Sequence, residues 1–154
     1  MVFKNEAQLK KFLMSKCTKA VANAERKVYE EFAGNLNQFY TEFKPEEYIR
    51  TGALFNSLEH TGVTSGGNSV SAEVRFDTPS YQTGEMQLQS TPITGRTGWA
   101  TWSGEQVLGV AMEGNLPHGN YEGGTAIFTE TMGKLGGGSG IENLLIQELK
   151  KQGV

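Results

Sequence analysis

From Leu9 to Phe39 the apolar residues keep helical spacing: Leu9, Phe12, Leu13, Cys17, Ala20, Ala24, Val28, Phe32, Leu36 and Phe39, with charges between them. No other feature limits the possible folds so strongly. This period predicts one long amphipathic helix over residues 5–41. Asn5 stands where an N-cap belongs, and Gln8, three residues on, completes a capping-box pattern. At 1.5 Å per residue such a helix spans roughly 54 Å, more than the width of a small domain. Either Gly34 and Asn35 break it, or one end projects past its own core to meet a neighbour. The reading adopted is a continuous helix to about Gly34, with a looser turn or two beyond.

Pro45 opens a second helix, with Glu46 and Glu47 in the turn that favours negative charge. It is expected to run through about Glu59, kinked at Thr51-Gly52. In the stretch YIRTGALFNSLE, residues 48–59, Thr51 can cap the next turn, and Leu54, Phe55 and Leu58 share one helical face. Residues 60–76 predict a hairpin with its turn at Ser65-Gly66-Gly67-Asn68. Its second strand alternates, with Val70, Ala72, Val74 and Phe76 facing in and Ser71, Glu73 and Arg75 facing out.

Residues 78–104 hold one acid, Glu85, and one base, Arg96, in a run rich in Ser, Thr, Gln and Gly. This segment predicts a long protruding hairpin or loop, with short strands near Met86–Leu88 and Trp99–Trp102. Residues 105–113 read as a strand buried on both faces. Residues 114–140 are glycine-rich, with a short apolar insert at Ala126–Phe128, and Gly136–Gly140 reads as a flexible joint. The last element is a helix over Ile141–Lys151, with Ile141, Leu144, Leu145 and Leu149 on one face. The expected fold is α+β in a single domain of 154 residues. A long N-terminal and a short C-terminal helix pack on a small antiparallel β-sheet, beside a long polar loop or hairpin.

Net charge is −3 but uneven: residues 1–34 hold seven Lys/Arg against four Asp/Glu, and the remainder seven against thirteen. The asymmetry fits head-to-tail contact between copies, although ordinary solvated faces give the same counts. It argues against tight nucleic-acid binding, which needs clustered Lys/Arg. The single cysteine, Cys17, permits no internal disulfide and is expected as a buried, inert thiol. There is no 18-residue apolar run for a membrane span, and Lys10, Lys11, Lys16 and Lys19 interrupt any signal-peptide core. The expected compartment is a cytoplasm.

Neither His60 nor His118 stands in a metal-ligand pattern, and the glycine runs match no phosphate-loop motif. No serine sits in a nucleophile motif. No cofactor, metal or catalytic group is therefore expected. The residues singled out are candidates for subunit or partner contact: Tyr48, Arg50, Tyr81, Arg96, Trp99 and Trp102. Arg50 can pair with a carboxylate on another subunit, and the aromatic residues can dock on a neighbour or stack on sugars.

The order of features resembles the tail-completion, or head–tail joining, proteins of tailed siphophages, also known as neck or minor capsid proteins. The likeness rests on Tyr48-x-Arg50-Thr51-Gly52-x-Leu54-x-x-Ser57-Leu58 after a long helix, and on the Tyr121–Thr125 element near a short C-terminal helix. It covers residues 1–76 best; residues 78–104 look like an insertion. The resemblance implies a structural virion protein, assembled in a bacterial cytoplasm and located at the neck. It implies a homo-oligomeric ring, expected as a hexamer, joining the connector or stopper to the tail tube. DNA would pass through the ring without specific binding, and no membrane is involved. The rival reading is a carbohydrate- or partner-binding module built on the aromatic loop 78–104.

Overall fold

A computed structural model describes residues 2–42, 53–77, 86–88, 98–100, 108 and 127–154. The fold is α+β. In chain order it comprises α1 (Glu6–Glu42), α2 (Ala53–Asn56), β1 (Leu58–His60), β2 (Thr64–Gly66), β3 (Ser69–Ser71), β4 (Val74–Phe76), β5 (Met86–Leu88), β6 (Gly98–Ala100), α3 (Ile127–Leu135) and α4 (Gly140–Lys151). The strands form three two-stranded ladders, β1 with β4, β2 with β3 and β5 with β6. The chain divides into two compact units. The first comprises Met1–Glu31, His60–Arg75 and Met132–Val154, the second Phe32–Glu59 and Phe76–Thr131.

The helix α1 is 37 residues long and does not break at Gly34. Tertiary packing outweighs the local cost of that glycine. Asn35 and Leu36, directly after it, are fully buried. At the other end Asn5 caps as expected, its Oδ1 accepting the Gln8 amide at 2.9 Å. The Gln8 side chain does not return to Asn5, however. It accepts the Lys4 amide at 3.0 Å, one residue further out than a capping box prescribes.

The first unit holds a small apolar core of Ala20, Ala24, Val28 and Leu144. Its hairpin turns at Gly67-Asn68, with Thr64 opposite Ser71 and Gly66 opposite Ser69. The alternation expected over residues 70–76 holds, with even positions half-buried and odd positions exposed. The strand is interrupted, however, between β3 and β4. There the Glu73 amide donates to the Thr61 hydroxyl at 3.1 Å, and the Thr61 amide donates to the Glu73 carbonyl at 2.9 Å. These bonds take residues 61 and 73 out of the β2–β3 ladder.

The segment expected as a flexible joint is a built turn. Gly136 and Gly137 have φ of 106° and 78°, a region open to glycine, and Gly137–Ser139 form a 3₁₀ turn. A β-carbon at Gly140 would collide with the Leu135 carbonyl. The glycines here provide close approach rather than looseness. Beyond them α4 begins at Gly140, one residue before the expected start.

The second unit buries Phe32, Leu36, Leu54, Leu58 and Ile127. Phe32 meets Phe76 edge-on at 5.8 Å between centroids and Phe128 at 6.5 Å. The helix expected to run through Glu59 ends instead at Asn56. The Ser57 hydroxyl donates to the Leu54 carbonyl at 2.8 Å, closing the last turn. The Asp77 amide then donates to the Ser57 carbonyl at 2.7 Å, and the chain continues as a strand. The start of that helix at Pro45 lies outside the described residues. The helix α3 is an element the composition concealed, since residues 114–140 read as glycine-rich coil. Of the strand expected over 105–113, only Leu108 is described, and its backbone is helical.

Candidate functional site

Of the residues singled out from the sequence, Tyr48, Arg50, Tyr81, Arg96 and Trp102 lie outside the described residues, as does His118. Trp99 lies on β6, directly across from Gln87 of β5. The antiparallel pairing of Met86–Leu88 with Gly98–Ala100 gives the expected hairpin within 78–104.

Two polar clusters of described side chains lie in the first unit. Glu148, on the buried face of α4, is the centre of one. Its side chain is 3% exposed, and Oε1 accepts the ammonium groups of Lys27 and Lys151, each at 2.7 Å. The Asn23 amide donates to Oε2 at 3.2 Å. The Lys151 hydrogen bond, then that of Lys27, holds the Glu148 carboxyl at about 2, against an ordinary 4.5; burial works the other way. The same bond raises the pKa of Lys151 above 10.5. Sequence reasoning put only Leu and Ile on this face of α4. The sole available signal was the Glu148–Lys151 spacing, which suits an i,i+3 pair.

The linkage has a definite sign. A carboxyl whose pKa is depressed by folding stabilises the fold above its unfolded pKa, and this contribution disappears as protons bind. The thermal midpoint should therefore fall as pH drops from 4.5 toward about 2. A Glu148→Gln variant should show a shallower fall over that window, read by circular dichroism. Lys151 acts in the opposite sense: its contribution is present below 10.5 and is lost as pH rises through its raised value.

Glu25 is the centre of the second cluster. Its Oε1 accepts the Gly62 amide at 2.8 Å. His60 Nδ1 lies 3.7 Å away, too far for a hydrogen bond, with Glu25 7% exposed and His60 55%. The Tyr29 ring meets the imidazole at 4.9 Å. The Glu25–Gly62 bond ties α1 to the chain after β1, as Glu148 ties α1 to α4. Both carboxylates thus fasten helices. Among the described residues no group of three or more His, Cys, Asp or Glu is placed to hold a metal ion.

The remaining feature is the first part of α1. No described residue before Ala20 is buried. Phe3 folds back on Phe12 at 5.2 Å, and the Lys16 ammonium sits 5.3 Å from the Phe12 ring centroid. Leu9 and Leu13 stay 39% and 38% exposed, and Cys17 is half-buried rather than buried. The apolar stripe that forms the core further along therefore continues outward with lysines around it. No protein-family model, curated protein or solved structure matches the chain.

Proposed function

We propose that this chain is a structural protein of the tailed-phage neck. In this reading it forms a homo-oligomeric ring that completes the tail and joins it to the capsid connector or stopper. The ring leaves a channel for DNA, and acidic residues lining it keep the phosphates from sticking.

The observation that carries the reading is the position of the signature's second half. Leu54, Ser57 and Leu58 are 4%, 2% and 7% exposed. They build the passage from α2 into β1, through the Ser57–Leu54 and Asp77–Ser57 bonds. Residues placed this way shape a backbone rather than a surface. The two buried carboxylates likewise serve as helix ties. A long helix with its outer stripe uncovered suits a building block.

The experiment is a nonsense mutation in this reading frame within its phage genome. Electron microscopy of the lysate should show filled heads and complete tails that remain separate, with infectious titre reduced by orders of magnitude. Joined, infectious particles at normal yield would end the reading. Deleting residues 78–104 should leave a soluble protein that fails to join heads to tails, because that segment is the proposed contact with the tail tube or connector.

A further inference from the structure

We propose that the basic arm of residues 4–19, at the start of α1, docks on the acidic second unit of another copy of this chain. The proposal deepens the neck reading and takes its setting from it, by naming the two surfaces through which copies join.

The two compact units carry opposite charge. The first holds eleven Lys/Arg against seven Asp/Glu, net +4; the second holds three against ten, net −7. The arm alone carries net +4, with Lys4, Lys10, Lys11, Lys16 and Lys19 against a single acid, Glu6. The ion pairs described in the first unit engage Arg26, Lys27, His60 and Lys151, and none of the five arm lysines. Within the same arm Leu9 and Leu13 continue the buried seam of Ala20, Ala24 and Val28 out of the core.

The second unit offers matching chemistry. Its described residues include the acids Glu42, Glu59, Asp77 and Glu130 and no Lys or Arg, and two large aromatic side chains remain exposed on it, Phe128 at 52% and Phe55 at 41%. An apolar stripe flanked by lysines fits exposed apolar rings on a unit of net negative charge, with long-range attraction guiding the approach. A second copy is the occupant the counts favour, since every molecule carries both halves. The contact is heterologous: one surface of each copy meets a different surface of the next. Such contacts repeat, and they close into a ring when the rotation allows.

The test uses purified full-length chain and no phage, so this contact can fail while the neck reading stands. The neck reading can likewise fail in the phage while the contact holds. Sedimentation equilibrium should show species above the 16.8 kDa of one chain as concentration rises. Raising the salt should weaken them, because exposed charges are screened. The Leu9→Asp/Leu13→Asp variant should associate at least about tenfold more weakly, as should a Phe55→Ser/Phe128→Ser variant. Thermal midpoints near the parent's would show that each variant stays folded. Mixing the two variants supplies one intact arm and one intact acidic unit, and should give a dimer and nothing larger.

A parent that stays at 16.8 kDa up to its solubility limit overturns the proposal. So does a Leu9→Asp/Leu13→Asp variant that assembles like the parent, or a mixture that yields no dimer. A monomeric parent that pellets with phosphatidylglycerol vesicles would assign the arm to a membrane surface and equally overturn it.

Discussion

Replacing Leu36 by alanine should lower the free energy of unfolding by about 2–5 kcal/mol, and Ile127→Ala by a similar amount. Both side chains are fully buried in the second unit. Each truncation loses transfer free energy and leaves a cavity that the fold fills only partly. A domain of this size has about 5–15 kcal/mol in all, so either change removes a large share. Leu13→Ala is the control. It lies on the same helix and the same stripe but is 38% exposed, so it should stay within about 0.5 kcal/mol of the parent. Urea midpoints for the three variants decide the matter. Equal losses at positions 13 and 36 would mean that the stripe is buried along its whole length, which would also remove the arm.

That contrast shows what the sequence could reveal about α1. Its period was legible over its whole length, because amphipathic spacing is a local property repeated many times. The point where its core ends was not. Leu9 and Leu13 have the same spacing as Ala20 and Ala24, and only the packed chain separates exposed from buried members. Persistence through Gly34 was hidden for a similar reason, since Asn35 finds its partner Thr131 far away in sequence.

The shorter elements divide by how far their causes reach. The alternation over residues 70–76 is local, and the sequence shows it directly. Its interruption depends on Thr61 meeting Glu73, twelve residues away. Leu54, Phe55 and Leu58 span barely one helical turn, and such a short pattern suits a helix or a helix that leads into a strand. The Asp77–Ser57 bond selects the second. The helix α3 was missed because Gly133 and the surrounding glycines outweighed Ile127, Thr131 and Leu135, whose steps of four are helical. Of the candidate site, the basic arm and the acid-rich remainder were visible as a charge asymmetry. The ties at Glu148 and Glu25 were invisible, because a glutamate reads as a surface residue until its tertiary partners are known.

The buried polar pair Asn35–Thr131 should show strong coupling. The Asn35 Nδ2 donates to the Thr131 hydroxyl at 2.7 Å, and both residues are fully buried. Asn35→Leu removes the donor but keeps the branched shape, and Thr131→Val removes the acceptor at nearly constant volume. Each single change leaves a buried polar group without this partner and should cost about 1–3 kcal/mol. The double variant leaves neither half of this bond stranded, so its cost should fall short of the sum by about 1 kcal/mol or more. A cycle that adds without residue would mean that each group relaxes to another partner and that the pair does not fix α3 against α1. This matters beyond stability. The helix α3 carries Phe128, which meets Phe32 and keeps half its surface outward, and the Asn35–Thr131 bond is expected to hold that register. An apolar pair of equal volume could slide along the helix; a hydrogen bond with one donor and one acceptor holds a single register. If copies join through Phe128, the double variant should retain much of its stability and lose association. Sedimentation and denaturation measured on one preparation would separate these two effects.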